Sequence, residues 1–224
     1  MLLACCAVLL LARELGAADA TTRGNQKLIT GSGVPAEKVV PIPANARKLK
    51  LDLPGSVTVR LDPKASPRAI IRFDRNLIDL VSIASSAGSV KIDMTGSFQS
   101  SLGLRIDVVL NAMESLEANG SADVTVEQLN EPRLVIESAG SGNIRLASGR
   151  VAQLVMRLSG SGDLSAGDLA ATACEVSSSG SGSTSVRCSE SVTGDLSGAG
   201  DLAVAGKPKR RAVRALGAGD ISFE

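Results

Sequence analysis

The chain has 224 residues, enough for one domain, with 24 Lys and Arg against 23 Asp and Glu and no His. Without His, Ser-His-Asp and Cys-His nucleophile pairs and His-ligated zinc are excluded. The nearly balanced charge and the lack of Trp and Tyr argue against a nucleic-acid interface, which needs a basic field and aromatic side chains that stack on bases.

The first segment, residues 1–20, is predicted to be a secretory signal peptide. Leu2–Ala12 is an apolar run too short to cross a bilayer as a helix, and Ala18-Asp19-Ala20 matches an A-x-A cleavage pattern. A buried N-terminal helix is the alternative interpretation of the same run. We therefore expect an exported protein with no transmembrane span, whose mature chain begins at Thr21.

Residues 21–46 are interpreted as a lead-in segment, and 47–224 as a β-domain with regular repeats from about residue 116. The early part of this domain contains alternating apolar runs that predict strands. Their spacing is irregular, so periodicity alone indicates an entry or a cap to the repeats. The predicted strands are Leu49–Leu53, Val57–Leu61, Ala69–Phe73, Leu77–Ile83, Val90–Met94 and Leu104–Leu110.

A repeat of about twenty residues fills the second half. A turn related to Gly-Ser-Gly-Asp occurs six times, with its third position at 122, 142, 162, 182, 200 and 219. Period-two alternation on both sides of each turn predicts a strand, a tight bend and a second strand. Glycine suits such bends because it tolerates positive φ and crowded backbone. The turn glycines are Gly140, Gly142, Gly160, Gly162, Gly180, Gly182, Gly198, Gly200, Gly217 and Gly219.

Two all-β architectures fit this unit. Antiparallel hairpins could turn at each Gly-x-Gly, or the chain could form a single-stranded parallel β-helix with coils of 18–20 residues. Stacked coils place each residue beside its counterpart in the next coil, so aligned positions should share residue type. They do, with glycine, small, Asp/Asn/Ser and aliphatic columns, and this favours the β-helix.

The carboxylates Asp163, Asp201 and Asp220 form part of one such column. A stacked acidic column could bind calcium, or could serve a polysaccharide-cleaving enzyme that uses paired carboxylates. However, each turn offers only one carboxylate, and Asn143 and Ser183 interrupt the column. Capping of nearby turn amides is the favoured interpretation, so no metal, no cofactor and no catalytic residue is expected.

The cysteines are expected to form one disulfide bond. Cys5 and Cys6 leave with the signal peptide, so Cys174 and Cys188 remain. Counted from Gly182, both have the parity of the inward-facing positions, and export favours oxidation. A pair of buried free thiols is the alternative.

The one local basic cluster comprises Lys207, Lys209, Arg210 and Arg211. It is either a solvated loop between two coils or an electrostatic contact with anionic envelope polymer or lipid headgroups.

At this point the sequence resembles the head GIN-domain family of auto-transporter adhesins. The resemblance rests on Gly31-Ser32-Gly33, on Leu53–Val59, on Phe73–Ile78 and on the Gly-Ser-Gly-Asp-Leu series, over about residues 28–224. It implies an exported bacterial protein, periplasmic or on the cell surface, with a right-handed parallel β-helix and no enzymatic activity.

The resulting hypothesis is a non-enzymatic envelope protein that acts as an adhesin or binding scaffold. Its expected partners are envelope polysaccharide or another surface protein, and homo-oligomers through the terminal coil are a further expectation. The alternative is a polysaccharide-acting β-helix enzyme that uses the Asp carboxylates.

Export with cleavage after Ala20 gives a first prediction. N-terminal sequencing of protein recovered from the envelope or the medium should start near Thr21. Cytoplasmic protein that retains Met1 would contradict it.

Overall fold

The computed structural model describes residues 28–224, so the predicted signal peptide, its cleavage site, Cys5 and Cys6 lie outside the described residues. Within this range the fold is all-β apart from one 3-10 turn at Ile78–Leu80. The strands are β1 (Ile29–Thr30), β2 (Pro35–Pro41), β3 (Lys48–Asp52), β4 (Ser56–Leu61), β5 (Arg68–Asp74), β6 (Val81–Ser86), β7 (Ser89–Met94), β8 (Phe98–Gln99), β9 (Arg105–Leu110), β10 (Ser115–Ala118), β11 (Asp123–Glu127), β12 (Leu129–Ser138), β13 (Ile144–Leu146), β14 (Gly149–Leu158), β15 (Leu164–Ser178), β16 (Thr184–Leu196), β17 (Leu202–Ala205), β18 (Arg210–Ala215) and β19 (Ile221–Phe223).

In the second half, each strand runs parallel to the strand about twenty residues further along. Leu134 of β12 pairs with Leu154 of β14, which pairs with Cys174 of β15. These three side chains are at most 2% exposed, because the alternation turns them towards the core. The aliphatic columns inferred from the sequence are therefore rows of adjacent residues in a sheet of seventeen strands.

The turn glycines allow the backbones of successive repeats to approach closely. A Cβ placed on Gly160 would lie 1.9 Å from the carbonyl oxygen of Gly140, and one on Gly180 would lie 1.9 Å from that of Gly160. Neither residue has a positive φ. Of the two reasons that the sequence allowed for glycine here, backbone crowding is therefore the one that applies.

The first half departs from the expectation of one parallel β-helix over 47–224. Lys48 of β3 pairs with Ser89 of β7 on one side and with Ser115 of β10 on the other. Likewise, Ser56 of β4 pairs with Arg105 and with Asp123. The segment 48–61 therefore lies between 89–110 and 115–127, so the order in the sheet differs from the order in the chain.

Antiparallel pairing is the second departure. Strand β5 pairs antiparallel with β9 and with β2, and β6 pairs antiparallel with β7. Strand β2 therefore places residues 35–41 of the predicted lead-in within the sheet. Proline at both ends of β2 suits an edge position, because proline cannot donate to another strand.

A buried carboxylate fastens the N-terminal segment to this antiparallel region. Asp74 is fully buried and accepts hydrogen bonds from the Gly33 amide, at 2.6 Å, and from the Ser100 hydroxyl. A Cβ on Gly31 would lie 2.7 Å from the Asp74 carboxylate, so a larger residue there would displace this buried side chain. The motifs Gly31-Ser32-Gly33 and Phe73–Ile78 thus meet in one structural latch.

The stacked turns predict a large difference between two glycine substitutions. Gly160→Ala should lower the free energy of unfolding by about 3 kcal/mol, because its Cβ collides with backbone that cannot move away. Gly167→Ala is the matched control, since the nearest atom to its Cβ is the Ser185 hydroxyl oxygen at 4.0 Å. It should change stability by less than about 1 kcal/mol. Equal denaturant midpoints for the two variants would contradict close stacking.

Candidate functional site

The two mature cysteines lie in the core. Cys174 and Cys188 are 2% and 0% exposed, and their sulfurs are bonded, with the Cα atoms 6.2 Å apart. Cys174 is in register with Val192, and Cys188 with Ala171. The bond therefore ties together two strands of neighbouring repeats and has a structural rather than a redox position.

The four side chains of the basic cluster differ in their contacts. Lys207 lies in the exposed loop before β18, and Lys209 forms an ion pair with Glu190 at 3.1 Å. Arg210 is exposed at the start of β18. Arg211 is in register with the buried Val192, and its guanidinium lies 4.6 Å from the centre of the Phe223 ring. All four side chains are exposed, and Arg211 alone also contacts an aromatic ring at the end of the last repeat.

A groove lies on the side of the repeats opposite the Gly-Ser-Gly turns. Its volume is about 540 Å³, and we call it the arginine groove after two of its lining residues. Arg150 at the start of β14 and Arg187 of β16 are both exposed, two strands apart. The other polar lining residues are Asn130, Glu131, Thr172 and Ser189, and the loop residue Gly206 also lines the groove.

Neither arginine of this groove has a carboxylate partner within the range 28–224. Arg187 donates from Nε to the carbonyl oxygen of Gly167 at 2.8 Å, which orients its guanidinium. The carboxylates near the groove are engaged elsewhere: Asp168 pairs with Arg145, and Glu190 with Lys209. Glu131 accepts a hydrogen bond from the Met113 amide. Glu131 also lines the groove, so two arginines and one carboxylate give the lining a net charge of +1 (2 − 1).

A second groove, of about 900 Å³, lies over β3, β10 and β12, and we call it the glutamate groove. It is lined by Glu114, Glu117, Glu131 and Glu137. A carboxylate-dependent glycosidase would use two such residues as its catalytic pair. Three of these residues form ion pairs: Glu114 with Arg47, Glu117 with Lys50, and Glu137 with Arg157. Three of the four carboxylates are thus bound to cations, and the fourth, Glu131, accepts the Met113 amide.

The pKa of Glu117 argues against acid catalysis in this groove. The Lys50 ammonium, 2.6 Å from the Glu117 carboxylate, and a hydrogen bond from Asn119 hold the pKa of Glu117 below its ordinary value. A general acid at neutral pH needs a carboxyl whose pKa is raised. Glu117 is therefore ionised and suited to an ion pair.

The Asp/Asn column forms a hydrogen-bond ladder between repeats. The Asp123 carboxylate accepts the amide of Asn143 at 2.9 Å, and the Asn143 side chain accepts the amide of Asp163 at 3.0 Å. Asp163 and Asp201 do the same for the next repeat. The acceptors thus bind amides one repeat further on, where the sequence pointed to amides of the same turn. Across residues 28–224, no cluster of three or more His, Cys, Asp or Glu is arranged to hold a metal ion.

Sequence reasoning found the basic loop and the cysteines but missed the arginine groove. Arg150 and Arg187 lie in the variable part of the repeat, where no column of shared residue type draws attention. Only the register of β14 to β16 brings them to one side. No helix in the described part of the chain has the length and apolarity needed to cross a membrane.

The family described as "Putative auto-transporter adhesin, head GIN domain" matches residues 49–208. Comparison with curated proteins gives no match.

Several crystal structures are similar, including the following three. A putative adhesin from Bacteroides fragilis NCTC 9343 has 20% identity and a TM-score of 0.73, over 88% of this chain and 100% of that chain. A putative lipid binding protein from Parabacteroides distasonis ATCC 8503 has 18% identity and a TM-score of 0.56, over 87% and 99%. A putative adhesin from Parabacteroides merdae ATCC 43184 has 14% identity and a TM-score of 0.53, over 88% and 98%. At these identities the likeness establishes the fold alone.

The disulfide gives a prediction for exported protein. Unreduced, alkylated material should carry no label on Cys174 or Cys188, and reduction should lower the free energy of unfolding by about 3 kcal/mol, since the bond closes a loop with a sequence separation of 14. Mass spectrometry measures the label, and chain made without residues 1–20 in a reducing cytosol is the control. Two alkylated thiols in exported material would contradict the bond.

Proposed function

The chain belongs to the family described as "Putative auto-transporter adhesin, head GIN domain", and from this premise we propose that it is an exported, non-enzymatic binding scaffold of the bacterial cell envelope. The scaffold is a right-handed parallel β-helix in its regular part, residues 115–224, with an antiparallel cap formed by β2, β5 and β6. The proposed location is the periplasm or the cell surface.

The parallel register supports the β-helix. Residue pairs such as Leu134 with Leu154 are twenty positions apart in the chain and adjacent in the sheet. The backbones also meet at each turn, since the amide of Ser161 donates to the carbonyl of Gly140 at 3.1 Å. A stack of antiparallel hairpins would give neither relation.

The state of the carboxylates supports binding over catalysis. Ion pairs join neighbouring repeats across the outer faces, among them Lys50 with Glu117 and Arg157 with Glu137. The Asp column accepts backbone amides. Carboxylates held in this way stabilise a surface. In a glycoside-cleaving pair, one carboxyl must be free to protonate the leaving-group oxygen and the other to attack the anomeric carbon or activate a water.

The last repeat is the proposed place for homo-oligomerisation. Within the described residues, β18 pairs only with β16 and β19 only with β17, so each has one unpaired side. Leu216, between them, is 69% exposed. An unpaired strand edge beside an exposed apolar side chain is a surface that a second copy can cover.

The test combines localisation with binding. An antibody or an added protease should reach the chain on intact cells if it lies at the surface, or after mild permeabilisation of the outer layer if it is periplasmic. Chain lacking residues 1–20 should stay in the cytoplasm. Purified chain should also sediment with isolated envelope and should release no reducing sugar from it. Retention of the full chain in the cytoplasm, or release of sugar that depends on the Asp column, would overturn the proposal.

A further inference from the structure

We propose that the arginine groove binds an acidic polysaccharide, one whose sugar residues carry carboxylates. This rests on the proposed function, and it names the ligand class and the surface. Arg150 and Arg187 are the carboxylate-binding residues, and Lys207 and Arg210 extend the site beyond Gly206.

The first argument is that the two arginines have no carboxylate partner. Both are exposed and lack a carboxylate partner in the described chain, whereas Arg60, Arg145 and Arg157 are each paired with one. A guanidinium binds a carboxylate through two parallel hydrogen bonds, which is stronger and more directional than a contact with lysine. Arg187 is also held in place by the Gly167 carbonyl, so little freedom is lost on binding.

The second argument is the placement of the cations. Arg150 belongs to β14, Arg187 to β16, and Ala205, the partner of Arg187, is followed by Gly206 and Lys207. Arg150 is paired with Ala170 of β15, and Arg187 contacts Gly167 three residues earlier on the same strand, so the two cations flank β15 with an offset along it. A polymer with a carboxylate on every sugar can therefore meet both arginines without a fixed match between sugar length and strand spacing.

The third argument is the chemistry of the groove lining. Asn130, Thr172 and Ser189 offer amide and hydroxyl groups, and Ala152 and Ala170 leave room above the sheet. These groups match sugar hydroxyls. The chain has no Trp or Tyr, so recognition by ring stacking is replaced here by charge and hydrogen bonding.

The backbone disfavours a peptide strand as the occupant. Arg150 and Val151 of β14 are already paired with Ala170 and Ala171, and β15 is also paired with β16 on its other side. An incoming strand therefore finds no free sheet edge along the groove. A polymer that binds through its substituents needs no such edge.

The experiment measures equilibrium binding of the folded, exported chain by titration calorimetry. The probes are oligogalacturonate, neutral dextran of similar length, polyglutamate, and vesicles containing phosphatidylglycerol. Oligogalacturonate should bind with an affinity that falls as salt rises, and the other three should bind at least tenfold more weakly.

Matched variants locate the site. Arg150→Gln and Arg187→Gln should each weaken oligogalacturonate binding roughly tenfold, and the double variant roughly a hundredfold, since each removes a charge-assisted contact. Arg187→Lys should fall between, because it keeps the charge without the planar fork. Arg60→Gln is the control for loss of one charge, since Arg60 is paired with Glu127, and it should change affinity less than twofold. Melting curves for all variants check folding.

Several results would overturn the inference. Equal losses of oligogalacturonate affinity for Arg60→Gln and Arg150→Gln would mean that binding depends only on the overall charge. Tighter binding of polyglutamate or of the vesicles would mean that the ligand belongs to another class. Binding of dextran alone, unaffected by any arginine variant, would remove this site and leave the envelope-binding function intact. Absence of both envelope and oligogalacturonate binding would remove the function as well.

Discussion

The close approach of backbone to backbone at the Gly-Ser-Gly turns is the constraint on which the regular half depends. Because the carbonyl oxygen of Gly140 occupies the space that a Cβ on Gly160 would need, the turns can stack only if both positions lack a side chain. The stacking fixes the register of the strands on either side of each turn. That register in turn aligns the aliphatic columns, the ion pairs of the outer faces and the two half-cystines.

The side of each repeat opposite the turns tolerates more variation in sequence and in length. There the strands carry register shifts between Ala166 and Ala173, and the lengths of successive repeats differ. Exposed residues on this side need not match their neighbours in type, because their side chains point away from the core and the pairing there involves only the backbone. A functional surface can therefore diverge on this side without disturbing the core, and the arginine groove lies there.

The sequence predicted what local patterns can carry. Alternation located β3, β4, β5, β7 and β9 to within a residue or two, and the parity of Cys174 and Cys188 placed both half-cystines inside. It did not predict that 48–61 lies between 89–110 and 115–127, since that order depends on pairing between segments far apart in the chain. The arginine groove was missed for the same reason: register alone brings Arg150 near Arg187.

The ladder of Asp and Asn side chains has a direction. Each acceptor, from Asp123 to Asp201, binds an amide of the repeat that follows it in the chain. During synthesis or translocation that begins at the N-terminus, each new repeat, except the one that follows Ser183, therefore meets a side-chain acceptor on the repeat before it. Folding of the regular half can advance by addition to one end, so each step closes a short loop and the entropic cost of long-range pairing is confined to the first half.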